Sequence, residues 1–561
     1  MLGMFVAAMD QTVVGTAMPR VIASLGGLHL YSWVFTAYML TSTTAVPIVG
    51  KLSDLYGRKR FFLTGIVIFL AASALAGTSQ TMVQLIAFRG LQGIGGGFIM
   101  ANAFAIIGDL FPPAERGKYA GLMTGVFGLS SVLGPLIGGG ITDSLNWRWV
   151  FYVNLPLGLV TITVLYLFLP SIQRRAQSVR IDYLGAAALA AGVAPLLVAL
   201  TWAGNDYAWG SPQVLGLLSV SAVVLSLFVL IESKVEEPII PLGLFRSPIF
   251  AVAVGVTFLT GVSMFGNSLL IPLFMQGVVG TSATNSGLVM TPMTLAMVVG
   301  ATIGGQIISR TGRYVATTVF GMAVMAFGTF LLSRMGVDTA QFTAVRNMAV
   351  VGFGLGLTMP SLVIAVQNAF PYQLLGVVTS SITFFRSIGG TLGVAILGSL
   401  LTSRLASELN RNIPADVRAA TPPDLLKPMT DPQVLLSPGA MAQLREASVR
   451  LGGDAAAAFE RVIAALRLSL ANSIEHAFFV ALILVSAAFF VSLFLREMPL
   501  RKTIETLPAE GQGLAAPALV TSGPAAGPVA SAETLAATAD GPLDDAASPL
   551  GPPVERLRDA L

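Results

Sequence analysis

The chain has 561 residues, 54% hydrophobic and 11% charged, with a formal net charge of +4 and a mean hydropathy of +0.79. A soluble domain places roughly a quarter of its residues as charges, so most of this surface must face lipid, and the chain reads as an all-α membrane protein. The absence of cysteine and the presence of only His29 and His476 exclude disulfides, thiolate sites and histidine metal clusters. The basic excess belongs to loops beside a bilayer, and no metal, cofactor or nucleic acid is expected.

Stretches of about 20 apolar residues fall near 2–22, 31–50, 61–79, 82–110, 117–141, 149–169, 182–202, 213–231, 249–275, 285–309, 314–334, 342–368, 376–403 and 473–495, predicting fourteen transmembrane helices. The first carries Asp10 without a basic region ahead of it, so it reads as a span and not as a cleavable signal peptide. Only nine residues precede Asp10, and a start further upstream is one reading of so short a lead.

Lys and Arg mark the retained side of a membrane. With the N-terminus inside, inner segments collect Lys51, Arg58, Lys59, Arg60, Arg116, Lys118, Arg174, Arg175, Arg180, Lys234, Arg246, Arg310, Arg313, Arg496, Arg501 and Lys502; short outer loops hold only Arg20, Arg148 and Arg334. Both termini are therefore expected on the cytoplasmic side of the cell membrane. Residues 404–472 form a long outer connection in which Asp454–Leu470 reads as a surface helix resting on the membrane. The segment 496–561, rich in Ala, Pro, Gly, Ser and Asp, reads as a disordered cytoplasmic tail.

Helix 1 contains Asp10-Gln11-Thr12 and then Ala17-Met18-Pro19. A carboxylate within a span costs roughly 3 kcal/mol on insertion scales and usually faces a cavity, which makes Asp10 a candidate reversible proton carrier. The alternative is that it lies near a membrane surface or only orders its neighbours. After helix 2 the chain reads Gly50-Lys51-Leu52-Ser53-Asp54-Leu55-Tyr56-Gly57-Arg58, followed by Lys59 and Arg60. Gly50 permits close helix approach and Gly57 a tight turn, while Asp54 can pair with Arg58 or Lys59 or cap a facing helix N-terminus. Such contacts form and break as two halves rock, so the loop is a candidate conformational latch; the basic residues also serve as topological anchors.

Helix 4 begins Arg89-Gly90-Leu91-Gln92-Gly93-Ile94-Gly95-Gly96-Gly97. An arginine does not release a proton in a protein, so Arg89 would act on a nearby carboxylate or hold a relay water, with Asp10 as the partner. Snorkelling to an interface is the alternative. Helix 5 carries Gly121, Gly125, Gly134, Pro135, Gly138 and Gly139, a spacing that lets backbones approach. Gln92, Asn154 at the head of helix 6, and Arg386 in the Phe385–Gly393 stretch of helix 13 are candidates for a cavity wall; packing against carbonyls suits Arg386 equally. After helix 10, Gly305, Gly312 and Arg313 repeat Gly50, Gly57 and Arg58, with Ser309 in place of the acid. An even number of helices separates the copies, so the halves are related by an axis along the membrane normal.

These motifs together resemble the fourteen-helix drug:proton antiporters of the major facilitator superfamily, the EmrB/QacA-like branch, over nearly all of residues 1–500. The resemblance implies two six-helix bundles, 1–170 and 248–495, with inserted helices 7 and 8 in 171–247. It implies that Gly125, Gly134, Pro135, Gly138 and Gly139 form the antiporter motif, that Gly50–Arg60 is the superfamily's loop signature, and that Arg89 is linked to proton transfer. The implied function is proton-coupled export of amphipathic drugs by alternating access, in a monomer whose partners are small-molecule substrate, protons and the lipid bilayer. Residues 285–309 contain no acid, which weakens dicationic substrates and leaves amphipathic monocations or neutral drugs. A dedicated exporter of one metabolite, antibiotic or lipid would carry the same motifs. A membrane sensor would need an appended folded domain, and an enzyme a clustered nucleophile and base; neither is found, nor is a P-loop for ATP.

Overall fold

The computed structural model describes residues 1–26, 30–170, 182–204, 207–280, 291–414, 438–450 and 453–500. The predicted tail from residue 501 onward and the basic segment with Arg174, Arg175 and Arg180 lie outside the described residues. The first six helices are α1 (Leu2–Leu25), α2 (Tyr31–Tyr56), α3 (Arg58–Gly77), α4 (Met82–Leu110), α5 (Pro113–Ser144) and α6 (Trp149–Phe168, with a turn at Val153). A hairpin of α7 (Tyr183–Trp202) and α8 (Pro212–Glu232) follows. The last six are α9 (Pro248–Leu273, continued by a π-turn Phe274–Val278), α10 (Thr291–Thr311), α11 (Tyr314–Leu332), α12 (Gln341–Ala369), α13 (Leu375–Asn412) and α14 (Gly453–Ser492).

Among the described residues twelve helices are long and apolar enough to cross a membrane. The predicted fourteen is not reached by that measure: α1 offers the shorter apolar stretch Leu2–Met18, and α2 carries a polar Thr41–Thr44 run. Both are nevertheless packed into the first bundle, α1 on α5 and α2 on α4. α8 exposes Leu215, Val220, Val223, Leu227 and Leu230; only a lipid solvent leaves such a face without a partner.

Lipid tails are as apolar as leucine, so helices in a membrane adhere through close backbone contact at small residues. The seam between α5 and α10 is built this way. A Cβ on Gly305 would stand 2.1 Å from the carbonyl oxygen of Gly117, and one on Gly121 2.6 Å from that of Ala301. The α7–α8 hairpin leans on α2 and α13, with Leu189, Val193, Phe228 and Phe384 in one apolar cluster.

Two expectations need correction. The outer connection 404–472 is largely helix at its two ends: α13 continues to Asn412 and α14 begins at Gly453. Asn412 Nδ2 donates to Ser469 Oγ at 3.0 Å, and Asn472 Nδ2 to Glu408 Oε2 at 3.1 Å. Asp454–Leu470 is therefore no separate surface helix; Phe459, Val462 and Leu466 are buried within α14. Hydropathy marks only the lipid-buried part of a helix, and polar, helix-paired extensions escape it.

Candidate functional site

Asp10 lies in α1 with no exposed surface, and Arg89 in α4 is 1% exposed. Arg89 Nη1 donates to Asp10 Oδ2 at 2.5 Å. Gln92 Nε2 and Asn154 Nδ2 each donate to Asp10 Oδ1 at 2.8 Å. Arg89 also donates from Nη1 to Gln92 Oε1 at 2.7 Å and from Nε to the Val34 carbonyl at 3.4 Å, and its guanidinium lies 4.5 Å from the centre of the Tyr38 ring. Asn154 reaches Ser73 Oγ at 3.0 Å, which donates to the Phe151 carbonyl at 2.9 Å. One network thus ties α1, α2, α3, α4 and α6. Arg89 does not snorkel away from the protein, and the network gives Asp10 the structural role of ordering its neighbours as well as the setting of a proton carrier.

Burying a carboxylate is tolerable here because its charge is matched and both oxygens are bonded. The glycine run of α4 makes the arrangement possible. A Cβ on Gly93 would lie 2.3 Å from the Tyr38 carbonyl, and one on Gly95 2.7 Å from that of Gly65. Only bare backbone lets α4 press between α2 and α3 and bring Arg89 to Asp10.

Gln11, the next residue of α1, faces a cavity with about 980 Å³ of empty space including its mouth. Its wall is shared: Met39, Phe104 and Phe127 come from the first six helices, and Phe265, Met359 and Arg386 from the last six. Gln92 and Asn154, expected on this wall, are instead fully buried behind it as partners of Asp10. The aromatic and methionine lining was not read from sequence, because such residues look like ordinary core.

At the end of the bundle where α2 turns into α3, Asp54 bridges the halves. Its Oδ1 accepts the N–H of Gly376 at 3.1 Å and its Oδ2 that of Val377 at 2.9 Å, capping the first turn of α13. Arg58 pairs with Asp54 and with Asp109 at the end of α4, and donates to Ser53 Oγ at 3.2 Å. Gly57 turns the chain at φ 96°, and a Cβ on Gly50 would stand 2.1 Å from Ser380 Oγ. Lys59 Nζ donates to the Tyr166 carbonyl at 2.9 Å and is half-buried. Sequence reasoning missed Asp109 and Glu237; the latter pairs with Lys51 at 2.5 Å. Their spacing in the chain carries no signal of these contacts.

In α5 the glycines divide between two neighbours. A Cβ on Gly134 or Gly138 would meet Thr12 or Thr16 Oγ1 in α1 at 1.9 and 2.2 Å, and one on Gly125 would meet Val298 in α10 at 3.3 Å. Thr12 Oγ1 also lies 3.2 Å from the Ser130 carbonyl. Gly139 faces open space, so close packing does not require it, and the surroundings of Pro135 lie outside the described residues. The stretch thus seats α5 against the helix that carries Asp10.

Residues 1–394 match the profile of the Major Facilitator Superfamily. The chain is 43% identical over 515 residues to the multidrug transporter protein MdtP of Bacillus subtilis (strain 168), covering 89% of this chain and 92% of that one. It is 39% identical over 506 residues to multidrug resistance protein 3 of the same organism, covering 90% and 95%. Among solved structures, the human organic anion transporter MFSD10 (TETRAN) superposes with a TM-score of 0.55 at 17% identity, covering 86% of this chain and 97% of its own. The proton:xylose symporter XylE gives 0.52 at 14%, covering 70% and 85%; at such identity both speak to the fold alone. A profile match running well into the second half, with relatives aligned nearly end to end, makes this chain a member of the major facilitator superfamily, a multi-pass membrane transporter.

Proposed function

We propose that the chain is a proton-coupled antiporter that exports amphipathic drugs or related small molecules by alternating access. The observation that carries this reading is the buried Asp10 network standing one residue behind a cavity that both halves line. The names of the Bacillus subtilis relatives point to the same substrate breadth. In this reading α1 and α2 also span the membrane, making fourteen helices. α1–α6 and α9–α14 are the two moving halves, α7–α8 are an insertion, and both termini lie on the cytoplasmic side of the cell membrane. The protein works as a monomer.

Protonation of Asp10 removes the charge that holds Arg89. The guanidinium keeps Gln92 Oε1, the Val34 carbonyl and the Tyr38 ring as partners, so the network has a second arrangement without leaving Arg89 bare. Asp54 and Arg58 act as the latch between halves, closed here at the α2–α13 contact. Release of the latch and loss of the Asp10 proton are the two events that alternation couples.

The test is dye accumulation in everted vesicles under an imposed pH gradient, offering one anionic and one cationic amphipathic dye. Wild type should accumulate at least one of them, and Asp10→Asn should lower gradient-driven accumulation by about tenfold or more, a loss of about 1.4 kcal/mol of coupling. Unchanged accumulation in that variant would remove Asp10 from the proton path. If neither dye moves in wild type, the efflux reading fails.

A further inference from the structure

We propose that the central cavity selects amphipathic organic anions, an aromatic body bearing one carboxylate or sulfonate, and that Arg386 receives the acidic head. The proposal rests on reading that cavity as the substrate site, and it departs from the expectation of amphipathic monocations or neutral drugs. Among the described residues that line the cavity, Arg386 carries the only charge. The acid nearest along the chain, Asp10, is already matched by Arg89, Gln92 and Asn154, so the network behind Gln11 adds no net negative charge.

Among the described residues Arg386 has no acidic partner; its hydrogen bond there is to Met359 Sδ, 3.2 Å from Nη1, and a thioether is a weak acceptor. A guanidinium offers five N–H donors in a planar fork that matches a carboxylate, so most of this fork is unused. A cation held in an apolar wall without a counter-charge is costly, and a ligand anion lifts that cost when it binds. A cationic ligand would instead meet a like charge where screening by water is weak.

The arginine is also held in place. A Cβ on Gly261 of α9 would stand 2.3 Å from the Arg386 carbonyl oxygen, one on Gly389 2.2 Å from that of Phe258, and one on Gly393 2.3 Å from that of Val262. This glycine crossing clamps the backbone of α13 at Arg386, which explains the small residues that follow it. The rest of the wall suits an aromatic body: Phe104, Phe127 and Phe265 offer ring contacts, and Met39, Met264 and Met297 adapt to shape.

Three probes on one scaffold test this: 1-pyrenebutanoate, its neutral methyl ester, and the matching pyrenyl trimethylammonium cation. Binding to the full chain in nanodiscs is read by tryptophan-to-pyrene energy transfer, with empty discs as the blank. The acid should bind wild type at least about tenfold more tightly than the ester, as expected for a charge-assisted hydrogen bond, and the cation most weakly. Arg386→Gln should bring acid and ester together, while Arg386→Lys keeps part of the preference. The wild-type comparison of acid with ester needs no variant to fold. Equal binding of the two to wild type, or an acid preference that survives Arg386→Gln, overturns the proposal. Because binding is read apart from transport, failure of the efflux reading leaves this result standing or falling by itself.

Discussion

The turns Gly50–Arg58 and Gly305–Arg313 share a backbone but differ in charge. Gly57 and Gly312 both take positive φ, 96° and 72°, and Gly50 and Gly305 both sit where a helix of the other half crosses. In the first turn Asp54 reaches across to α13 and pairs with Arg58, which also holds Asp109, the penultimate residue of α4. In the second, Ser309 stands in the place of Asp54, Asn368 is the penultimate residue of α12, and Arg313 is exposed. Asn368 Nδ2 lies within 3.3 Å of the Met498 carbonyl and 3.2 Å of that of Pro499, and Glu497 Oε1 accepts the Tyr314 N–H at 2.8 Å. These contacts staple the last six helices to their own exit strand of chain. Glycine therefore sets how closely the halves cross, and acid sets whether the crossing is held by charge; the first turn has both.

Removing the charge should break the comparison most. Asp54 accepts two backbone N–H groups and the Arg58 guanidinium, and hydrogen bonds to charged groups contribute about 1.5–3 kcal/mol each. Asp54→Asn should therefore shift the balance between latched and unlatched states by about 3 kcal/mol, roughly a hundredfold. The chain contains no cysteine, so a single cysteine at Thr383 on the cavity wall reports the shift directly. Its labelling by a membrane-impermeant maleimide from the latch side should rise in the variant. An unchanged labelling rate would mean that Asp54 does not hold the halves.

Filling the glycines comes next. At Gly305 an added methyl meets the backbone of Gly117; at Gly50 it meets Ser380 Oγ and, at 2.5 Å, Ser380 Cβ, which the backbone fixes in place. Overpacking costs about 1–3 kcal/mol, so Gly305→Ala and Gly50→Ala should both lower the unfolding temperature, and Gly139→Ala, which faces open space, not at all. Thermal unfolding of the three variants in one detergent orders them; Gly139→Ala matching Gly305→Ala would discredit the packing account.

The parts that could be read from sequence were those a single residue type betrays. A carboxylate and an arginine inside apolar runs single out Asp10 and Arg89, and the spacing of Gly50, Asp54, Gly57 and Arg58 singles out the turn whose acid reaches α13, because lipid makes charge and bare backbone conspicuous. Asp109 and Glu237 stayed hidden because acids near a loop are common, and only the tertiary fold brings them to Arg58 and Lys51. Gln92 and Asn154 were recognised as polar residues within helices, but period alone does not say whether such a face meets a cavity or another polar group. The Met and Phe residues of the cavity wall differ in no way from core until the fold leaves space beside them.

The smallest effect on labelling is expected from the substitution that makes the second turn most like the first, Ser309→Asp. Adding the acid does not add the partner. Gly376 and Val377 lie in the first turn of α13, which begins at Leu375, so their N–H groups lack an intrahelical acceptor and await a cap. The facing residues at the second crossing are Gly117 and Lys118, but α5 begins earlier, at Pro113. By helix geometry their N–H groups already point to the carbonyls of Pro113 and Ala114. The new carboxylate would find no orphan donor there, and with Glu115 in the first turn of α5 the local field is unfavourable to it. Ser309→Asp should change maleimide labelling at Thr383 by no more than about twofold, within the ±0.5 kcal/mol typical of a surface substitution. A tightening as large as the loosening from Asp54→Asn would show that the acid alone makes the latch, and that the staggered helix starts do not matter.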